Sequence, residues 1–240
     1  MHEVIRTSVS PATALSVGLK VDAAALPPAV KEAIREGQID LNDPAVTVTL
    51  LKLKAVVGVM GEVGENNTLR RVGITCALCH STVDNSFAPG IGNRLDGWPN
   101  RDLNVGGIVA LSPALTPAQK AVYSSWGPGM YDPRFNIDGK NVPIVIPPAF
   151  GLRNVAREVY TGDGPVSYWN AYVAITQMHG HGTFVDPRIG VSVSNPPDLV
   201  SSKLDALRNY QLSLTPPRAR PGTFNPAAAE RGRAVFFGAG

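Results

Sequence analysis

The stretch Cys76-Ala77-Leu78-Cys79-His80 constrains this chain more than any other. Two thiols three positions apart, with an imidazole directly after the second, have the spacing that attaches a c-type haem. Each thiol can add across one vinyl group, and the histidine then reaches the iron as proximal ligand. Other readings of the same residues fit their surroundings less well. A redox dithiol favours a strand before it and a helix after it in a βαβ pattern, and no such alternation surrounds Cys76. A zinc site needs four ligands; the chain holds two cysteines, and His179 and His181 lie too far on for finger spacing. The expected cofactor is one covalent haem c.

A chain of 240 residues can form one or two domains with a full core. Its residues are 44% apolar and 17% charged, and no run approaches the roughly eighteen apolar residues of a membrane span, so no transmembrane segment is expected. The 24 glycines and 21 prolines well exceed the usual share of about 12%. Long ordered loops follow, which a flat cofactor can support by supplying part of the core. The formal charge of +3 comes from scattered basic residues, which read as a solvated surface and not as a nucleic-acid patch. Haem attachment through cysteine is completed outside the cytoplasm, so a periplasmic or extracytoplasmic home is expected. Met1-His2-Glu3-Val4-Ile5-Arg6 lacks the basic start and apolar core of a signal peptide, which implies a removed leader or a fragment of a longer chain.

Residues 1–26 show no period. A short helix is predicted from Ala29 to Glu36, stopped by Gly37. Asp43 can cap a second helix with Pro44 in its first turn, although Val46, Val48, Val56 and Val57 leave strand open. Val56–Val63 and Leu69–Ile74 flank the turn residues Gly64-Glu65-Asn66-Asn67 and read as a hairpin leading to Cys76. Asp84 to Gly107 is polar and glycine-rich. The pair Gly90 and Gly92 is weak support for nucleotide binding, whereas Asn93, Arg94, Trp98 and Arg101 are placed to hydrogen-bond haem propionates or to face water. Thr116 can start a helix through Trp126, and Met130 after it is a minor axial candidate. The strip Val142–Val155 is too rich in proline for a helix or central strand and suits one wall of a haem pocket. Ser167 can cap a helix from Tyr168 to about Met178, with Tyr168, Tyr172, Ile175 and His179 on one face. The chain has four histidines: His2 is terminal, His80 proximal, and His179 and His181 remain for the far side of the iron. Residues 186–197 read as loop, Asp198 opens a helix through Leu212, 218–225 is a linker, and a helix starts at Pro226.

Three passages resemble the di-haem cytochrome c peroxidase and MauG-like superfamily, including its di-haem thiol oxidoreductase-like members. They are Cys76–His80; Ile146-Pro147-Pro148-Ala149-Phe150-Gly151-Leu152-Arg153-Asn154-Val155 followed by Tyr160-Thr161-Gly162-Asp163-Gly164; and Met178-His179-Gly180. The resemblance spans roughly Gly73 to Leu214. It implies a mainly α, cytochrome c-like haem domain over 44–217, with long Gly/Pro-rich loops and a small β-hairpin before the haem motif. Residues 1–43 then form an N-terminal extension, and 218–240 a linker with the start of a second cytochrome c domain. It also implies His179 as sixth iron ligand, with Met178 next and His181 or Met130 behind, and Arg153 as a propionate partner. Gly162 stands where the family carries a histidine.

Two functions compete. One is electron transfer by an iron capped on both faces, with a redox protein or second haem domain as partner. The other is the haem domain of a di-haem peroxidase-type oxidoreductase, in which Glu158 or Asp163 serves as acid or base, although surface carboxylates are their simpler reading. A zinc-stapled module is a third, non-redox reading. Electron transfer is the function expected of this chain.

Overall fold

In the computed structural model, which describes residues 2–219 and 221–239, helix starts follow from side-chain caps. The Asp43 carboxylate accepts the Ala45 amide hydrogen at 2.8 Å, and Pro44 opens the Pro44–Lys52 helix. A carboxylate there satisfies an orphan N–H and faces the positive end of the helix dipole. Val46 and Val48 are therefore helical. Thr116 and Gln119 form a reciprocal capping box before Pro117–Ser124. The helix Pro28–Arg35 stops before Gly37, which takes a φ of +68°. Downstream, Asp198 accepts from the Val200 and Ser201 amides at the start of Ser201–Ser213. Residues 1–26, patternless in sequence, carry two short helices, His2–Ser8 and Pro11–Ser16.

A mainly α fold is not what forms: the chain is mixed α/β, 39% helix and 17% strand. Among the described residues the strands make five two-stranded sheets. The hairpin before Cys76 is present, Val59–Val63 antiparallel to Leu69–Ile74 with an irregularity at Glu62/Val63. Others are two or three residues long: Val21–Asp22 parallel to Ile91–Gly92, Ser81–Val83 against Arg94–Asp96, and Met130–Tyr131 against Ile144–Val145. Alternation needs about four residues to be visible, so ladders this short leave no trace in the sequence. They form because the Gly- and Pro-rich loops bring distant extended segments together and buried backbone groups must pair. Residues 186–197 are likewise not plain loop. Val191–Asn195 pairs antiparallel with Gly182–Asp186, and Gly190, at φ +66°, supplies the left-handed residue of the turn.

Two apolar clusters form. The first contains Val21, Leu26, Leu50, Leu51, Val59 and Ile91, and Leu78 of the cysteine motif packs against it. Val21, Ala23 and Leu26 lie within residues 1–43 and share this cluster with residues beyond 44. The second contains Trp169, Tyr172, Ile175, Phe184 and Val191. Its helix, Val166–Tyr172, is capped at Pro165 and not at Ser167, and widens into a π turn over Val173–Gln177. The last helix, Pro226–Gly238, is exposed throughout and carries Val235, Phe236 and Phe237 into solvent.

The hairpin meets the cysteine motif closely at Gly58, where φ is +76° and an added Cβ would lie 2.1 Å from the Leu78 backbone nitrogen. Gly58→Ala is expected to destabilise the fold by more than about 1 kcal/mol, seen as a lower urea midpoint. An unchanged midpoint would show that this approach tolerates a side chain.

Candidate functional site

The motif forms one tight turn. Ala77–His80 is a single helical turn in which the His80 amide donates to the Cys76 carbonyl at 3.0 Å. Residues three apart in a helix share a face, so both thiols are presented together. They are unbridged. All five motif residues are half-buried, and burial raises both thiols, Cys79 to about 12 with the Cys76 charge adding to the effect. A reactive dithiol has the opposite character, a lowered thiol in an electropositive setting. Among the described residues no group of three or more His, Cys, Asp or Glu converges on a metal position. Structural zinc needs such a group, whereas porphyrin iron needs only axial ligands from the protein.

His80 is held in a defined tautomer. Its Nδ1 lies 3.0 Å from the Pro147 carbonyl oxygen, which can only accept, so Nδ1 carries the proton and Nε2 keeps its lone pair. A metal-binding histidine is oriented in this way by a carbonyl on its other nitrogen. Burial lowers the pKa of the ring, with the Pro147 hydrogen bond acting the other way, so the imidazole is kept neutral, the form that binds iron. The donor set fits a covalently attached haem: two thiols on one face and one neutral imidazole with Nε2 available.

Loops clamp this turn through backbone bonds. Gly97 N–H donates to the His80 carbonyl at 2.9 Å, and Asn100 N–H to the Cys79 carbonyl at 2.8 Å. The buried Asn100 amide also donates to the Gly18 carbonyl at 2.9 Å. The proline-rich strip joins by Ala149 N–H to the Gly97 carbonyl, 2.8 Å, and Phe150 meets Trp98 edge-on at 5.9 Å. Tyr131 stands beside Cys79 on the other side: burial raises its phenol well above the ordinary value, and the charges of Cys79 and Tyr172 add to this.

The residues expected to serve the cofactor are only partly brought together. Trp98 joins the motif through Gly97 and is 37% exposed. Arg94, Arg101 and Arg153 are all exposed, and Arg94 pairs with Asp96. Met178 is half-buried; His179 and His181 are exposed. Tyr168, Tyr172 and Ile175 share the apolar cluster as their spacing implies, but the π turn shifts the phase before His179, which takes a left-handed φ of +54°. Asp163 is no surface carboxylate: its side chain is 13% exposed and ion-pairs with Arg134. Pro147, Asn100 and Tyr131 have no signal in the sequence that marks them, since two act at the backbone and the third gains its position from a two-residue strand. An apolar cavity of about 70 Å³ beside Leu15, Leu50 and Val59, and an open cleft beside Lys20 and Asp102, both lie away from the motif's lining.

Comparison with protein-family models, curated proteins and solved structures finds no match to this chain.

Asp96 ties this region to the Ser201–Ser213 helix. It accepts from the Ser81 hydroxyl and the Tyr210 hydroxyl, each at 2.7 Å, and from Arg94. Burial works against its ionisation, but these hydrogen bonds outweigh it and hold the carboxyl below its ordinary value. A depressed carboxylate stabilises the fold above its unfolded pKa, and that stability is lost as pH falls through the folded one. Asp96→Asn is expected to cost about 1 kcal/mol at pH 7, after allowance for solvent screening. The difference from the parent should fade below about pH 4 in urea titrations; a difference that persists at pH 2 would contradict the charged role.

Proposed function

We propose that this chain binds one haem c through Cys76 and Cys79, with His80 as proximal ligand, and transfers electrons. The observation that carries the reading is the Pro147 carbonyl on His80 Nδ1, 3.0 Å away, which leaves Nε2 directed to a ligand role beside two thiols on one turn. Attachment adds each S–H across a vinyl C=C: sulfur bonds one carbon, hydrogen the other, and nothing is oxidised. The bound haem supplies one-electron ferrous/ferric chemistry.

The chain's own residues fit that task. Pro147 orients the imidazole and raises its basicity. Gly97 and Asn100 hold the carbonyls of His80 and Cys79, so the turn is rigid before it meets a cofactor, which limits reorganisation. Partly exposed Trp98 and its neighbour Phe150 give an apolar rim where a partner protein can approach. His179, on its exposed turn, is proposed as the opposite ligand, with Met178 as the alternative. Thioether attachment points to an extracytoplasmic setting and a redox protein as partner. Among the described residues no helix is long and apolar enough to cross a membrane. The family reading, a haem domain of the di-haem peroxidase and MauG-like group, rests on the three passages that resemble it.

Production with a haem-attachment system, followed by optical and EPR spectra, tests this. A low-spin iron inert to added ligands is expected, turning high-spin in His179→Ala. A colourless protein would refute haem binding. A high-spin ferric signal in the parent that responds to peroxide would favour the peroxidase-type reading instead.

A further inference from the structure

Three unpaired buried polar atoms gather around one turn. Arg134 Nη1, Glu158 Oε1 and Thr161 Oγ1 are each shielded from solvent without a hydrogen-bond partner. Buried polar atoms in folded proteins are almost always paired, and leaving one unpaired costs about 1–3 kcal/mol, so three together call for a ligand. The turn is closed by the Glu158 amide donating to the Gly164 carbonyl at 2.9 Å, and Thr161 lies within it. Trp169 Nε1 donates to the Glu158 carbonyl at 3.2 Å, the Arg134 guanidinium lies 5.4 Å from the Trp169 ring, and Arg134 ion-pairs with Asp163 of the same turn. Only 7% of the Arg134 side chain is exposed.

This cluster adjoins the cysteine motif through a short path. Arg134 follows three residues after Tyr131, the neighbour of Cys79, and its carbonyl accepts from the Tyr172 hydroxyl at 3.5 Å. The exposed Arg94, Arg101 and Arg153 have no comparable burial.

We propose that Arg134 Nη1 and Thr161 Oγ1, with Glu158 beside them, hold a carboxylate, and that this carboxylate is a propionate of the haem attached at Cys76 and Cys79. The assignment rests on the haem reading above. Two donors, a guanidinium fork and a hydroxyl, suit a carboxylate's two oxygens. Asp163 already offsets the Arg134 charge, so a second carboxylate is accommodated by sharing a proton with Glu158. Burial favours that proton by raising the Glu158 carboxyl.

The test uses the haem-loaded full chain. Thr161→Val keeps the shape of the side chain and removes the hydroxyl, while Arg134→Lys keeps the charge and removes the fork. Each variant is expected to retain one haem, to shift the propionate bending band in resonance Raman spectra, and to lower the midpoint potential. Weaker neutralisation of a carboxylate favours ferric iron, by up to a tenfold change in the ferrous-to-ferric ratio, about 59 mV for one electron. These shifts should not depend on added acetate; dependence on acetate would show a carboxylate from solution and overturn the propionate assignment. Because Arg134→Lys disturbs the pair with Asp163, Thr161→Val decides the matter if the lysine variant fails to fold. A red Thr161→Val protein with parental band and potential overturns this assignment alone, whereas a colourless parent overturns the haem reading and this assignment with it.

Discussion

The hydrogen bond between His80 Nδ1 and the Pro147 carbonyl joins segments 67 residues apart, and the geometry around the cysteine motif depends on it. Its net contribution to stability is about 1 kcal/mol, which is small. Its effect on chemistry is larger, because it selects the tautomer and aims Nε2. The bond is itself supported: Ala149, two residues past Pro147, donates to Gly97, and Gly97 donates to His80. The imidazole is therefore gripped at both its ring and its backbone by one connected set of loops.

The motif also lies between the two apolar clusters. Leu78 packs into the first, with Leu51 and Val59, while Cys79 neighbours Tyr131, which is coupled to Tyr172 of the second. A single helical turn has too few internal hydrogen bonds to persist alone. Here it is stable because it is packed on both sides and capped by backbone donors. The same arrangement accounts for the raised thiols: groups surrounded this closely lose hydration, and the neutral form wins.

The local signals in the sequence were legible where the chemistry is local. Asp43 and Thr116 marked helix starts through their own side chains, the Gly64–Asn67 turn marked a hairpin, and Cys76, Cys79 and His80 marked the candidate cofactor site. What stayed hidden depends on distance. A carbonyl such as that of Pro147 looks like any other until the fold brings it to an imidazole. Ladders such as Met130–Tyr131 with Ile144–Val145 are too short to impose a period, which is why the strand content was underestimated. Asp163 resembles a surface acid until Arg134 arrives from another loop. His179 shows a different failure: a regular 3.6-residue period was extended across a π turn, which adds a residue and rotates everything after it.

The central claim is that Cys76 and Cys79 carry one haem c. Mass analysis of the chain matured with a haem-attachment system, followed by peptide mapping, tests it most directly. The account predicts a gain of the mass of one haem, confined to the peptide holding Cys76–His80 and absent when both cysteines are changed to alanine. A parent protein with unmodified thiols after maturation would contradict it.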